Sequence, residues 1–190
     1  MKKMIPQLLL LILIQAASAN NIAYLAKTGP ETDAGTGTKW PANRFEAEAS
    51  GSCITDKLTG LMWVRNASLL GHAKWGSSST PATAQYKIDQ MNTNAAAVGH
   101  HLCGYDDWRL PNIIELKSLI NYSAKQNNNT PVSWLQNIAG FSDIQSVQYW
   151  SSTEYDSNNA WSIYFTEGYT DFHKAKSQEL YIWPVRGGSK

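Results

Sequence analysis

The residues best suited to chemistry lie close together, between residues 103 and 115. Two adjacent carboxylates, Asp106 and Asp107, precede Arg109, and Glu115 follows six residues after the arginine. A guanidinium group in such a motif commonly binds a carboxylate in a bidentate pair, or binds carbonyl oxygens. We therefore expect Arg109 to pair with one of these carboxylates and to hold neighbouring loops together, rather than to take part in catalysis.

No other stretch has a recognisable catalytic arrangement. No histidine stands in a motif beside a plausible nucleophile, and no pair of carboxylates has the context of a glycosidase. His100 and His101 are adjacent and could bind a metal, but the remaining histidines offer no matching spacing, so we interpret the pair as polar surface residues. We predict no catalytic residue and no cofactor.

The element that positions the motif is a predicted helix over residues 113–122. Asn112 can cap this helix, and Glu115 completes a capping box three residues later. Pro111 keeps the preceding residue extended, so the motif enters the helix from a strand or loop. Trp108, within the motif, is predicted to fill the core.

Residues 1–19 are predicted to be a secretory signal peptide. A basic start is followed by an apolar run over residues 8–14, which is too short to anchor the chain in a bilayer. The small residues Ala17-Ser18-Ala19 then form a cleavage site. No later segment is long and apolar enough to span a membrane, so we expect a secreted, periplasmic or surface-displayed protein without a transmembrane anchor.

The charge balance argues against a nucleic-acid partner. The chain has 16 basic and 15 acidic residues, and removal of Lys2 and Lys3 with the signal peptide leaves a formal charge of −1. Binding to a phosphate backbone needs a net basic surface. We therefore predict no nucleic-acid binding.

The two cysteines, Cys53 and Cys103, are predicted to form a disulfide. Exported chains meet an oxidising environment, and the isolated cysteines lack the paired spacing of a zinc site. The disulfide would close a loop of 50 residues. In the chain-entropy treatment, closing such a loop stabilises the fold by about 4 kcal/mol.

The mature chain, residues 20–190, is long enough for one domain with a substantial core. Its first part, residues 20–52, is rich in turn-forming residues and predicts a loop-rich segment that wraps the surface, with Trp40 and Phe45 as anchors. A β-hairpin is predicted over residues 53–65.

The remaining elements are helices followed by strands. Thr80 and Pro81 suit the cap and first position of a helix, and residues 131–141 have the spacing of a short helical turn. The predicted strands cover residues 148–153, 160–166, 169–176 and 180–186. The third of these strands is more polar, which is typical of a sheet edge. Helices before a strand meander indicate an α+β fold with an antiparallel sheet.

Other conspicuous side chains lie near the strands. Trp150 is predicted to be a core residue, and Trp161 belongs to the apolar face of an alternating strand. Ser151 and Ser152 could hydrogen-bond a ligand, but we interpret them as partners of backbone groups. Arg186, like Arg109, is interpreted as a structural arginine first and a ligand-binding one second.

Five short motifs occur in the order typical of one bacterial family. They are Thr59-Gly60-Leu61-Met62-Trp63, Asp107-Trp108-Arg109-Leu110-Pro111 with Glu115-Leu116, Tyr149-Trp150-Ser151-Ser152-Thr153, the strand from Ala160-Trp161 to Gly168, and Pro184-Val185-Arg186-Gly187-Gly188. Over roughly residues 27–190 the chain resembles the family named for the C-terminal domain of the Legionella collagen-like adhesin, the Lcl C-terminal domain.

The resemblance implies a C-type-lectin-like fold, with a twisted antiparallel sheet flanked by two helices and long loops. The family is more remotely related to formylglycine-generating enzymes, which use cysteines near the C-terminus. Both cysteines here lie within the first 103 residues, so that activity does not carry over. Asp106 with Asp107, or Asp143, could hold calcium, but the calcium-lectin signatures Glu-Pro-Asn and Trp-Asn-Asp do not occur, and we expect none.

The adhesin that names the family binds sulfated glycosaminoglycans, which require clustered cations. Such a cluster could form near the C-terminus from Lys174, Lys176, Arg186 and Lys190, with Lys87 or Lys117. The near-neutral charge weakens this prediction, and a collagen-like Gly-X-Y stalk is absent.

These observations predict a non-catalytic recognition module of the secreted or cell-envelope compartment that binds a glycan, such as a sulfated polysaccharide, or an envelope protein. The first alternative is a structural or assembly component of a surface appendage. The second is an enzyme of unknown chemistry. A binding module should have an exposed aromatic or charged concavity, whereas an assembly module should have a large apolar patch.

Overall fold

The computed structural model describes residues 40–41, 43–122, 124 and 130–187. The predicted signal peptide, most of the N-terminal wrap and Lys190 lie outside these residues. Trp40 and Phe45, the predicted anchors of the wrap, contact α3 (Pro131–Asn137) through Trp134, with ring centroids 5.5 and 5.9 Å away.

The chain forms an α+β structure with two sheets, rather than the one sheet that the strand pattern predicted. The first sheet contains β1 (Phe45–Ala47), β2 (Cys53–Asp56), β3 (Leu61–Val64) and β9 (Val185–Gly187), in the order β1-β2-β3-β9. Its pairs are all antiparallel. The hairpin predicted over residues 53–65 is confirmed as β2 and β3. Its turn is closed by the Gly60 N–H, which donates to the Asp56 carbonyl over 2.8 Å.

The second sheet has the order β4-β8-β5-β6-β7. Its strands are β4 (His72–Lys74), β5 (Gln148–Glu154), β6 (Asn159–Tyr164), β7 (Tyr169–Ala175) and β8 (Glu179–Tyr181). Strands β5 and β8 pair in parallel, whereas the other neighbours are antiparallel. The prediction that residues 169–176 form an edge strand is confirmed.

The single strand predicted over residues 180–186 is wrong. Residues 179–181 belong to β8 in the second sheet, residues 185–187 belong to β9 in the first, and the chain crosses between the sheets through 182–184. Pro184 lies in this crossing, and a proline has no N–H to donate to a ladder. The strand therefore breaks there.

The first helix begins later than predicted. Helix α1 spans Ala84–Thr93, and its cap is Thr83 rather than Thr80. Ala82 has a φ of 63°, in the left-handed region, so the chain cannot be helical from Pro81 onward. The Thr83 hydroxyl instead accepts the Tyr86 N–H and starts the helix there.

The other two helices lie where the sequence predicts helical structure, and α2 has its predicted cap. Helix α2 spans Ile113–Ser118 with the Asn112–Glu115 capping box in place, although it ends four residues before the predicted boundary. The short helix expected within residues 131–141 is α3, capped by Thr130. Within the described part of the chain, no helix is both long and apolar enough to cross a membrane.

The core joins both sheets through aromatic rings. Trp183, in the crossing segment, lies 5.7 Å from Trp63 of β3 and 5.7 Å from Tyr149 of β5, measured between ring centroids. Phe141 and Phe165 pack on the same tryptophan at 5.1 and 5.3 Å. All five rings are buried, so the position of each sheet depends on the other.

Candidate functional site

The motif that dominates the sequence forms two ion pairs and a cation–π contact, together called the motif junction (Tyr105, Asp107, Arg109, Glu115 and Arg186). Glu115, one of the expected partners of Arg109, is in contact with it. Its carboxylate accepts two bonds from the guanidinium, of 2.8 and 2.6 Å. The same guanidinium donates to the Gly187 carbonyl over 2.8 Å. The pair therefore fastens β9 to the start of α2.

The aspartates of the motif point to different partners. Asp107 accepts the Arg186 Nε–H over 2.6 Å, and the Arg186 guanidinium lies 3.5 Å from the centre of the Tyr105 ring. Asp106 lies 3.0 Å from His101 Nδ1. Among the described residues, no group of three or more histidine, cysteine or acidic side chains could hold a metal ion.

The tryptophans and serines singled out by the sequence serve the fold. Trp108 and Trp150 are buried, and the Trp150 indole donates to the Ala73 carbonyl over 2.8 Å. The Ser151 hydroxyl donates to the Trp161 carbonyl over 2.8 Å. Ser152 is exposed, and its N–H donates to the Pro111 carbonyl. Both serines therefore make hydrogen bonds to backbone carbonyls, Ser151 through its hydroxyl and Ser152 through its N–H.

Trp161 lies in a peripheral aromatic cluster with Tyr155 and Phe172. Its ring centroid is 5.2 Å from that of Phe172 and 6.4 Å from that of Tyr155. Tyr155 is exposed, whereas Trp161 and Phe172 are half-buried. Tyr155 follows β5 directly, and Trp161 and Phe172 belong to β6 and β7.

The predicted disulfide is confirmed between Cys53 and Cys103, with the two Cα atoms 6.5 Å apart. Cys53 is fully buried at the start of β2, whereas Cys103 is half-buried in a short 3-10 turn. The bond therefore ties the N-terminal hairpin to the loop that leads into the motif junction.

An open concavity of about 610 Å³ lies on the five-stranded sheet, away from this motif; we call it the tyrosine groove. Its volume is within the range of small-molecule sites, roughly 300–1,000 Å³. The lining residues come from all five strands and the segment before β5: His72, Ser146, Val147, Gln148, Tyr164, Tyr169, Lys174, Glu179, Leu180 and Tyr181.

Two of the tyrosines lie side by side on one wall of the groove. Tyr164 and Tyr169 are register partners of β6 and β7, and their ring centroids are 5.4 Å apart with planes at 53°. Tyr169 is 51% exposed. Tyr181, on β8, packs on the His72 ring at 5.8 Å. The aromatic surface is therefore accessible from solvent.

The acidic and basic side chains that line the groove each have an ion-pair or hydrogen-bond partner. His72 Nδ1 lies 2.9 Å from the Glu179 carboxylate. Behind the lining, Asp171 accepts from Gln148 Nε2 over 3.3 Å and lies 3.4 Å from Lys174 Nζ. Partial burial opposes ionisation of Asp171, but the His173 N–H and the Lys174 ammonium outweigh it, and its pKa lies below the ordinary value.

Several cations proposed as a polyanion cluster have local acceptors. Lys176 Nζ lies 3.1 Å from Glu154 and donates to the Asp156 carbonyl over 2.9 Å. Lys87 donates to the carbonyls of Leu70 and His72. Arg186 pairs with Asp107, and Lys174 pairs with Asp171, as described above. Lys190 lies outside the described residues.

Sequence reasoning identified only Lys174 among the groove residues. One local pattern could have indicated the tyrosine pair. Tyr164 and Tyr169 flank the turn between β6 and β7, and residues that flank a tight hairpin turn face each other across the two strands. His72, Gln148 and Tyr181 come from distant parts of the chain, and their convergence depends on the sheet order.

A comparison with protein families finds a match over most of the chain. Residues 52–186 match the family described as Lcl C-terminal domain. The matched range contains both cysteines, the whole motif junction and every residue of the tyrosine groove. No curated protein matches the chain.

Proposed function

Because this chain belongs to the Lcl C-terminal domain family, we propose that it is a non-catalytic recognition module that binds a glycan in the tyrosine groove. The proposal includes export through the signal peptide predicted at residues 1–19, a single domain over residues 20–190 with a C-type-lectin-like fold, and a place outside the cell or at its envelope. The disulfide is consistent with such a compartment.

The observation that carries the proposal is the shape and lining of the groove. It is open to solvent, and it combines three tyrosines with amide, carboxylate and ammonium groups. Pyranose rings present an apolar C–H face that packs on aromatic rings and hydroxyls at the rim that hydrogen-bond to polar side chains. Both kinds of group are present on the same surface.

The motif junction supports the non-catalytic part of the proposal. An acid or base needs a side chain within reach of a substrate. Asp107 and Glu115, two carboxylates of the motif junction, are each paired with an arginine. These ion pairs support a structural role for both carboxylates.

A glycan array that contains neutral and sulfated oligosaccharides tests the proposal. The mature protein should bind at least one glycan, and Tyr169→Ala should lose that binding while keeping its far-ultraviolet circular dichroism and its thermal melting temperature. If no glycan on the array is bound, the result would contradict glycan recognition and favour a protein ligand or the assembly role. Binding that Tyr169→Ala leaves unchanged would place the glycan outside the groove.

A further inference from the structure

We infer that the saccharide bound in the tyrosine groove is uncharged and is held by stacking on the Tyr164–Tyr169 pair rather than by ion pairing. This inference rests on the proposed function and specifies the class of glycan. It separates neutral oligosaccharides from the sulfated ones that the family resemblance suggests.

The charges of the groove argue against a polyanion. Lys174 and His72 are the basic side chains in its lining, and each faces a carboxylate, of Asp171 and Glu179 respectively. A sulfate group binds most strongly to a cationic side chain that is not already paired with a carboxylate. Here it would have to displace a carboxylate and would then lie beside that like charge. The groove therefore offers a sulfated chain little net attraction.

The tyrosine pair provides the stacking surface. Among the described strands, β7 lies at the edge of its sheet, and half of the surface of Tyr169, its first residue, is exposed. The 53° angle between the Tyr164 and Tyr169 planes allows one ring to lie under the C–H face of a sugar while the other meets its edge.

The remaining polar groups suit hydroxyls. One N–H of the Gln148 amide is directed to Asp171, and an amide has a second N–H and an acceptor oxygen. Gln148 is the register partner of Tyr164 on the neighbouring strand. A sugar stacked on the tyrosines therefore lies next to neutral groups that can both donate and accept hydrogen bonds.

Titration calorimetry on the mature protein tests the inference. The probes are neutral oligosaccharides of glucose, galactose and N-acetylglucosamine, and a heparin oligosaccharide of similar length. A neutral probe should bind with an affinity that changes less than about twofold between about 50 and 500 mM NaCl, since screening acts on charged ligands. Tyr169→Ala and Tyr164→Ala should each weaken this binding about tenfold or more.

Two variants make the test specific for stacking. Tyr169→Phe keeps the ring and should keep most of the affinity. Tyr155→Ala removes a tyrosine of nearly the same exposure, 49% against 51%, from the peripheral cluster and should leave binding unchanged. Circular dichroism and thermal melting of every variant establish that each is folded.

The outcomes separate the inference from the proposed function. Heparin binding that depends on Tyr169 and falls steeply with salt would overturn the uncharged ligand while keeping the groove as a glycan site. Neutral binding that survives both alanine variants would overturn the stacking geometry. Silence of all probes and of the wider array would overturn the proposed function and the inference together.

Discussion

The motif junction and the tyrosine groove contain similar side chains, but they differ in what those side chains face. At the junction, Arg109 lies against the buried carboxylate of Glu115, and Asp107 lies against Arg186. In the groove, charged side chains pair along the walls, and the ring of Tyr169 is half exposed. At the junction, the charged groups are paired within the protein, whereas the groove exposes an aromatic ring that a ligand can contact.

The difference shows why a conspicuous motif can be structural. A charge near the core needs an internal partner, because an unpaired buried charge is costly. A dense run of arginine, acidic and aromatic residues is therefore expected wherever a loop must be fastened beside the core. A binding surface has no such need for residues that are adjacent in sequence, and the groove takes its residues from strands far apart in the chain.

Trp108→Ala should give the largest effect on the junction side of the comparison. Trp108 is buried, and its indole donates to the Tyr105 carbonyl over 3.2 Å. Its truncation should lower the free energy of unfolding by about 3–5 kcal/mol, measured by urea denaturation. The matched truncation in the groove, Tyr169→Ala, should cost less than about 0.5 kcal/mol, since surface substitutions rarely cost more. Equal costs would remove the distinction between the two regions.

Loss of the disulfide should come next. Replacing both cysteines, Cys53→Ala with Cys103→Ala, should destabilise the fold by roughly 4 kcal/mol through chain entropy, because the loop of 50 residues is no longer closed in the unfolded chain. Ligand affinity per folded molecule should be unchanged. Two free thiols in mature protein isolated from the periplasm would contradict the bond itself.

At alkaline pH, the stability of the fold should depend on Tyr149, a buried residue that packs against Tyr181 of the groove. Tyr149 packs on Tyr181 with ring centroids 5.6 Å apart, and burial raises the pKa of the Tyr149 hydroxyl to about 12. An unfolded tyrosine titrates near pH 10, so above that pH the unfolded chain loses a proton that the folded chain retains. The stability from neutral Tyr149 is complete below about pH 10 and should fall by roughly 2–3 kcal/mol as the pH rises to about 12.

Tyr149→Phe supplies the control for this prediction. The variant should lose about 1 kcal/mol at neutral pH, because the hydroxyl accepts the Gln145 N–H. Its stability should then depend less on pH than that of the wild type across the alkaline range, measured by chemical denaturation at each pH. An unchanged slope would show that other groups control alkaline unfolding.

The parts of the fold predicted correctly are those fixed by neighbouring residues. The Asn112–Glu115 capping box and the hairpin turn after Asp56 depend on contacts within a few residues. The start at Thr80 was wrong because Thr83 offers an equally good cap and Ala82 adopts a left-handed conformation that no composition rule indicates. A short sequence pattern does not distinguish between two such candidate caps.

The parts that could not be predicted depend on topology. The split of residues 180–186 between two sheets follows from packing around Trp183, and the pattern of the segment alone resembles one strand. The pairing of Arg109 with Glu115 was among the sequence expectations because six residues separate them. The groove joins His72 to Tyr169 through the strand order β4-β8-β5-β6-β7, which the sequence does not encode in any short pattern.

The smallest expected effect compares the two regions most directly. Asp107→Asn removes the charge that faces Arg186, a pair whose side chains are 43% and 20% exposed. Exposed pairs contribute about 0–1 kcal/mol, so the variant should lose at most that much stability, and only at low salt. Its affinity for a groove ligand should equal that of the wild type, whereas Tyr169→Ala should show the reverse pattern of intact stability and lost binding. If Asp107→Asn weakens binding as much as Tyr169→Ala does, the junction is part of the recognition surface. A loss of stability this small would leave the groove folded, so unfolding could not explain the weaker binding.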